Sequence, residues 1–550
     1  MSERGYHDMG EHLERLEEIG RLERIDREIN KDTELHPLVR WQFRGGIDEE
    51  DRKAFLFTNV VDSNGRSYDV PVAVGALSAN PEIYATGMGA SVEEIPATWE
   101  SALSDPLDPV EVGSSEAPVH EVVYEGEDLE SGHGLDHLPV PISTPGFDNA
   151  PYWSFSGGIS HDPETGTRNI GIYRGQQKSP TRTGIYSYQG HGIYEHWQKA
   201  RERGEPLPVA FTVSAPPVIA YTAAQSLSME VDEFAVAGAL AGAPIREVEA
   251  KTIPVKVPAD ADIVIEGQVR TDELEPEGPF GESHGYMALQ EYNMIFEVSA
   301  ITRRRSPIYT SIISQVTPSE SSVIKKVALE PLFFNHLTRE CNIDSVVDVE
   351  LHEPLTNLRR LMVVQMADDA DDSEVWRALY ATVSLRPAHG KIVVAVDEDI
   401  DPSNLDALFW AMSYRSNPAE DIEFVEGRNI GHAPKNERGV VNDSAVLWDA
   451  TLKQDLPPIS LPKQEFMEDA REIWEELDLP ELDPEPPWYG YSLGEWDEWN
   501  EIQAERAVQG RYYETGEDLE RFRRPADEVN PNEPANITPE DVEEREAEEE

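Results

Sequence analysis

The sequence predicts a mixed fold: an α/β region first, a strand-rich centre that closes into a barrel or a curled sheet, and a second α/β region. Three observations predict it. Helix-like and strand-like periods alternate through the N-terminal part of the chain. Short strand patterns separated by turns, with two helices among them, fill residues 153–314. Beyond 319 the chain returns to helix and strand, with KIVVAVDEDI and NLDALFWAMSYR as a βα pair.

Taken in order, MGEHLERLEE at 9–18 reads as an amphipathic helix, because Leu13 and Leu16 share a face. GRLERIDREI alternates like a strand. AFLFTNV at 54–60 and VPVAVGAL at 70–77 are buried-strand candidates, and NPEIYATGMGASVEEIPATWESAL is helix and turn. An acidic connector at 111–130 follows. Strands are then expected at 153–160, 168–174, 183–188, 208–214, 253–257, 262–269, 293–302 and 307–314, with helices at 192–203 and 231–242. SESSVIKKVALEPLFFNHLTRE opens the third region with a Ser-capped helix. After 462 the composition changes: WYGYSLGEWDEW carries aromatics able to dock on the folded body, and DVEEREAEEE reads as a solvated tail.

Composition narrows the function. At 550 residues, about three to five domains fit. No apolar run approaches the ~18–20 residues of a membrane span, and the charged N-terminus lacks the apolar core of a signal peptide. A cytoplasmic protein with no membrane partner is expected. Lys and Arg number 46 against 107 Asp and Glu, a net charge of -61, which repels nucleic acid. The 11 Trp, 19 Tyr and 15 Phe lie in apolar segments and argue against disorder as the cause of that charge. What remains is an acidic surface of the kind expected of a halophilic archaeon: near molar salt the Debye length is only ~3 Å and self-repulsion is screened. The single cysteine, Cys341, rules out a disulfide framework and a cysteine-based zinc or iron–sulfur site.

The segment around which the chain is organised is Arg-Asn-Ile-Gly-Ile-Tyr-Arg, 168–174, after the turn HDPETGT. On one strand, Asn169, Gly171 and Tyr173 would face one way and Ile170, Ile172 and Arg174 the other. Arg174 suits an anion, since guanidinium forks carboxylates and phosphates; by itself the pattern is an ordinary strand ending in an arginine. Glu277 and Glu282 flank Gly-Pro-Phe-Gly, so a glycine-rich loop can bring two carboxylates to one pocket and split them into acid and base. Among 107 acids such pairs also arise by chance. Asn169, His191 and Glu233 offer an oxygen and nitrogen set suited to manganese or magnesium. His191 and His196 read equally well as helix-face histidines, and Glu233 as a helix-start acid favoured by the dipole. Gly281-Glu282-Ser283-His284-Gly285 fits the G-x-S-x-G elbow of serine hydrolases, but EPEGPF before it is no apolar strand. GMGAS is too short for a dinucleotide fingerprint, and there is no P-loop.

Together, LPVPISTP, DPETGTRNIGIYRGQ, GEPLPV, VDEFAVAGALAG, VPADADIVIEGQV, PEGPFGESHGYM and SESSVIKKVALE resemble the UbiD family of decarboxylases, which use prenylated FMN. LERLEEIGRLERIDREI and DPSNLDALFWAMSYR add to it, so the resemblance runs from about residue 9 to about residue 480. It implies an N-terminal α/β region at 1–120, a split β-barrel flavin-binding domain at 121–318, a C-terminal α/β oligomerisation domain at 319–462 and an acidic extension at 463–550. It implies Arg174, Glu277 and Glu282 as catalytic residues, and Ile172, Tyr173, Arg174, Gln189 and His191 as cofactor contacts. Asn169, His191 and Glu233 become ligands of a manganese ion that holds the flavin phosphate, with K+ as a further possible ion. His196 is a rival to His191, because YQGHGIYEHW matches loosely. Ala445 stands in SAVLWDAT where many relatives carry a lysine. The implied reaction is reversible, non-oxidative decarboxylation of an α,β-unsaturated or aromatic acid. Carboxylation of a phenolic or aromatic compound at the same site is the alternative, and a serine hydrolase using Ser283 a more distant one. The implied partners are a small carboxylic acid, a flavin prenyltransferase that supplies the cofactor, and further copies of the chain in a homodimer or homohexamer.

Overall fold

The computed structural model describes residues 4–153, 157–225, 227, 231–428, 443–453, 458–477, 479–480, 482, 496–525, 528–529, 531 and 534–549. The expected first helix forms at Met9–Glu18, where Asp8 caps the Glu11 N–H and Met9, Leu13 and Leu16 are buried. The alternation at 20–29 becomes two short strands in different sheets, Leu22–Ile25 and Ile29–Asn30. Asp26, Arg27 and Glu28 between them are exposed and break the run.

A four-stranded sheet takes the order Leu22–Ile25, Ala54–Phe57, Val72–Val74, Tyr309–Ser311. The last strand was expected in the central sheet but pairs in parallel with Val72–Val74. It is buried on both faces, so its sequence has no alternation to say which sheet it joins.

The strand-rich centre is a nine-stranded sheet. Its path runs Arg168–Ile172, Gly157–His161, Leu207–Val213, Ile263–Glu277, Glu291–Arg303, Arg182–Ile185, Gly175–Ser179, Tyr152–Trp153, and Val122–Glu125 pairs beside Glu291–Arg303. That ninth strand lies in the expected acidic connector, whose VVY is apolar enough to pair. The expected strand at 153–160 is described as Tyr152–Trp153 and Gly157–His161; residues 154–156 lie outside the described residues. Gly175–Ser179 was not anticipated, because GQQKS lacks the apolar alternation of a half-buried strand. The segment expected as a strand at 253–257 forms Lys256–Pro258, in a small sheet with Arg246–Glu249 and Val110–Glu111.

Connectivity proves that the large sheet curls. Arg168–Ile172 is first along the path and Gly175–Ser179 is seventh. Laid flat, six strand spacings would separate them by roughly 29 Å. Yet only Tyr173 and Arg174 join Ile172 to Gly175, and three Cα steps span at most about 11 Å. The two ends of the sheet therefore approach one another, and residues 173–174 bridge them.

Helix Glu320–Asn335 opens with the expected serine cap, Ser319, in a box with Ser322. A five-stranded sheet follows, ordered Val346–Leu351, Leu361–Met366, Ile392–Asp397, Asp443–Asp449, Ile422–Arg428. Contacts divide the chain into two compact units. The first is Met1–Val364 with Ala370–Ala395 and Ile422–Trp448, and it contains the whole of the nine-stranded sheet. The second is Gln365–Asp369, Val396–Asp421 and Asp449–Glu550. Within it, Arg415 at the end of helix Leu405–Tyr414 pairs with Asp397 at 2.7 Å and with Asp399. Of the aromatic segment at 488–499, residues 488–495 lie outside the described residues. Trp499 is buried, with the Arg506 guanidinium over its ring. The expected solvated tail forms a helix, Pro539–Glu549, instead: Asp541 accepts from Thr538 ahead of the first turn, acids there favour the dipole, and Val542 is buried. No helix among the described residues is long and apolar enough to cross a membrane.

Candidate active site

The strand Arg168–Ile172 and the bridge behind it line a cavity of about 370 Å³, within the range of small-molecule sites. The chain leaves the strand at Ile172, earlier than the expected end at 174. Tyr173 then turns inward: its ring packs so closely on Gly158 that a Cβ there would lie 2.7 Å away. Its hydroxyl accepts from the Ile193 N–H at 3.2 Å.

Arg174 is buried and meets two carboxylates. Its Nε and Nη2 donate to the two oxygens of Glu277, both at 2.8 Å, and its Nη1 donates to Glu282. Glu277 is the last residue of the long strand Ile263–Glu277, is fully buried, and also accepts from Asn293. The guanidinium lies 4.1 Å from the centre of the Tyr186 ring and 5.2 Å from that of Phe280. Burial alone would lower the arginine pKa, but the bonds and charge of Glu277, then Glu282, hold it above the ordinary value.

Glu282 is carried by a hairpin. Phe280–Gly281 pairs with Met287–Ala288, and the Glu282 N–H donates to the Tyr286 carbonyl. Gly281 is required, since a Cβ would lie 2.8 Å from both Gln315 and Thr144. Asp148 fixes the hairpin by accepting from Gly281 N–H at 3.2 Å and Thr144 N–H at 2.6 Å. Burial pushes the Asp148 carboxyl up to about 6. This geometry corrects the serine-hydrolase alternative: GESHG is the turn of a hairpin, with no helix behind Ser283 to make a nucleophile elbow.

Asn169, His191 and Glu233 line the same cavity. Asn169 sits mid-strand against the start of helix Gly192–Arg203, where a Cβ on Gly192 would overlap its amide oxygen at 2.0 Å. His191 occupies the N-cap position of that helix; its Nδ1 is 3.3 Å from the Ser187 hydroxyl and its ring lies tilted against Tyr188, 3.9 Å between centres. Glu233 opens helix Glu233–Leu240, its side chain is buried, and among the described residues its Oε2 has no hydrogen-bond partner. Burial pushes its carboxyl up to about 7, which backbone N–H groups only partly reverse. Among the described residues no group of three His, Cys, Asp or Glu side chains is placed to hold a metal; this set is two such groups and an amide.

His196 is elsewhere. It is buried against the central sheet, with its Nδ1 2.8 Å from Ser160 Oγ, and burial pushes it down to about 4. Ile172 lines the cavity, whereas Gln189 is exposed and does not. Sequence reasoning missed Tyr186, Lys325 and Arg359, which also line it. Lys325 falls in the SESSVIKKVALE segment, whose helical pattern gave it no role, and Arg359 lies in a turn without a motif.

The arrangement can orient an anion and move a proton. Glu277 locks one edge of a guanidinium, and Glu282 meets the other edge at the cavity wall.

Comparisons with known proteins agree with this layout. Residues 110–316 match the UbiD profile, the 3-octaprenyl-4-hydroxybenzoate carboxy-lyase Rift-related domain, and residues 324–450 match the C-terminal domain of the same carboxy-lyase. An uncharacterized protein of Archaeoglobus fulgidus is 29% identical over 437 residues, covering 76% of this chain and 86% of that one. The solved structure of an evolved dimeric form of the UbiD-class enzyme HmfF from Pelotomaculum thermopropionicum, in complex with prFMN, is 28% identical with a TM-score of 0.71, covering 85% of this chain and 100% of that one. Vanillic acid decarboxylase of Sedimentibacter hydroxybenzoicus in closed form shares the fold, at 23% identity and a TM-score of 0.72 over 86% of this chain and 99% of that one. Two consecutive profile matches running from 110 to 450, over the elements that build the cavity, establish that the chain belongs to the UbiD family of carboxy-lyases.

Proposed function

We propose that the chain decarboxylates an α,β-unsaturated or aromatic carboxylic acid without net oxidation, using prenylated FMN and a divalent cation, manganese. The observation that carries this reading is one cavity holding both the Arg174–Glu277–Glu282 cluster and Asn169, His191 and Glu233. The second set fits a cation: the buried, unpartnered Glu233 oxygen gains a counter-charge, and amide, imidazole and carboxylate leave room for a phosphate oxygen and water. Bound there, the flavin supplies an electron sink for the pair left when a carboxyl group departs from an sp² carbon.

The chain's own residues do the rest. Glu277 fixes the guanidinium plane, so Arg174 presents a set orientation to the substrate carboxylate. Tyr186 and Phe280 cover that guanidinium and limit water around it. Glu282, at the cavity wall, delivers a proton to the carbon from which CO2 has left. A flavin prenyltransferase is the supplier of the cofactor in this reading.

The test is co-expression with such a prenyltransferase, followed by mass spectrometry of the bound flavin and metal analysis. We expect one prenylated flavin and one divalent ion per chain, both lost in Glu233→Gln. A Glu233→Gln protein that keeps its full complement of both places the cofactor elsewhere.

A further inference from the structure

Two cations line the cavity, and the carboxylate whose charge reaches them, Glu282, is already engaged by Arg174. Lys325 projects from helix Glu320–Asn335, and Arg359 from the turn before strand Leu361–Met366. Among the described residues neither side chain has a hydrogen bond or an ion pair. Burial, with the charge of Arg359 added, pushes the Lys325 ammonium down to about 8, and burial with the charges of Arg360 and Arg386 lowers Arg359. His389 is buried, and among the described residues neither of its ring nitrogens has a hydrogen-bond partner. Burial and the charges of Arg359, Arg386, Lys325 and Arg360 push it down to about 2, so it stays neutral. Lys325 and Arg359 are half-buried like charges sharing one cavity, and an anion delivered from outside relieves their repulsion.

The pair shares the cavity with Arg174 and Glu282. The carboxylate whose charge reaches both Lys325 and Arg359 is Glu282. Glu282 is bonded to Arg174, which ties the pair to the Arg174 group within the same cavity. Arg174, Lys325 and Arg359 face Glu277 and Glu282, three positive charges less two negative, which leaves one; it becomes two at the stage where the decarboxylase reading has Glu282 hold the proton it delivers. A monoacid leaves one of these unmatched, and a diacid matches both.

We propose that Lys325 and Arg359 bind a second carboxylate, so that the substrate is a dicarboxylic acid held at Arg174 by the group it loses and at this pair by the group it keeps. The inference rests on the decarboxylase reading and adds the substrate class. One CO2 leaves per molecule, and the product retains the second carboxylate.

Calorimetric titration of the flavin-loaded enzyme with terephthalate, isophthalate and benzoate tests it. At least one diacid should bind about tenfold or more tightly than benzoate, as charge-assisted contacts allow. In Lys325→Met and Arg359→Met the ratio of diacid to monoacid affinity should fall towards one, while Lys325→Arg and Arg359→Lys retain most of it. Equal binding of all three acids by the wild type, or an unchanged ratio in the methionine variants, overturns the proposal and leaves the decarboxylase reading standing. A wild type that binds flavin but none of the acids overturns both.

Discussion

The fork between Arg174 and Glu277 and the single contact between Arg174 and Glu282 give the two glutamates different consequences when changed. Glu282→Gln keeps the shape at the cavity wall but cannot deliver a proton. It should lower turnover by about 10²–10⁴-fold while flavin and metal stay bound. Near-normal turnover, read by CO2 release, removes Glu282 from the mechanism. Most site residues were legible through the combination of NIGIYR, DEFAVAG and PEGPFGE, because each motif fixes a backbone position. Spacing by itself did not separate His191 from His196; what separates them is that one occupies a helix N-cap position at the cavity and the other bonds Ser160 in the core. Lys325 and Arg359 were illegible for a different reason: a lysine in an amphipathic helix and an arginine in a turn are usually solvated, and only the fold turns them inward.

Among elements, the start of helix Glu320–Asn335 makes the sharpest prediction about pH. Glu320 is fully buried; one carboxyl oxygen accepts from Ile313 N–H at 2.8 Å and the other has no partner. Burial pushes its carboxyl from 4.5 up to about 8. The folded chain then holds a proton that the unfolded chain releases, so this residue's contribution is full below pH 4.5 and is lost as pH rises through about 8. Glu320→Gln removes that dependence at about 1.4 kcal/mol per pH unit and should raise Tm most at the alkaline end. Melting curves of both proteins between pH 5 and pH 9 that stay parallel would contradict it. Elements with a clear period, such as Met9–Glu18 and Glu291–Arg303, were readable in advance. Gly175–Ser179 and the placement of Tyr309–Ser311 were not, since polar strands and three-residue buried strands carry no period that names their neighbours.

For the whole molecule, charge is the dominant property. A net charge of -61 on 550 residues opposes the compact state unless counter-ions screen it. Melting temperature should rise steeply from low to molar salt, where the Debye length falls to ~3 Å. An unchanged melting temperature across that range would refute a salt-adapted surface. Screening at the exterior should leave the buried Arg174–Glu277 fork largely untouched, so once the chain is folded substrate affinity should vary with salt mainly through the more accessible groups. The bridge at Tyr173 and Arg174 imposes a further constraint, on descent. The residues that join the two ends of the central sheet are those that line the cavity and, at Arg174, engage Glu277 and Glu282. Adding or deleting one residue between Ile172 and Gly175 would shift the pleat of a strand and displace the guanidinium together. Insertions and deletions are therefore barred at the point proposed for the chemistry. New specificities in this lineage have to arise by exchange of side chains around the cavity, not by growth of the segment that carries Arg174.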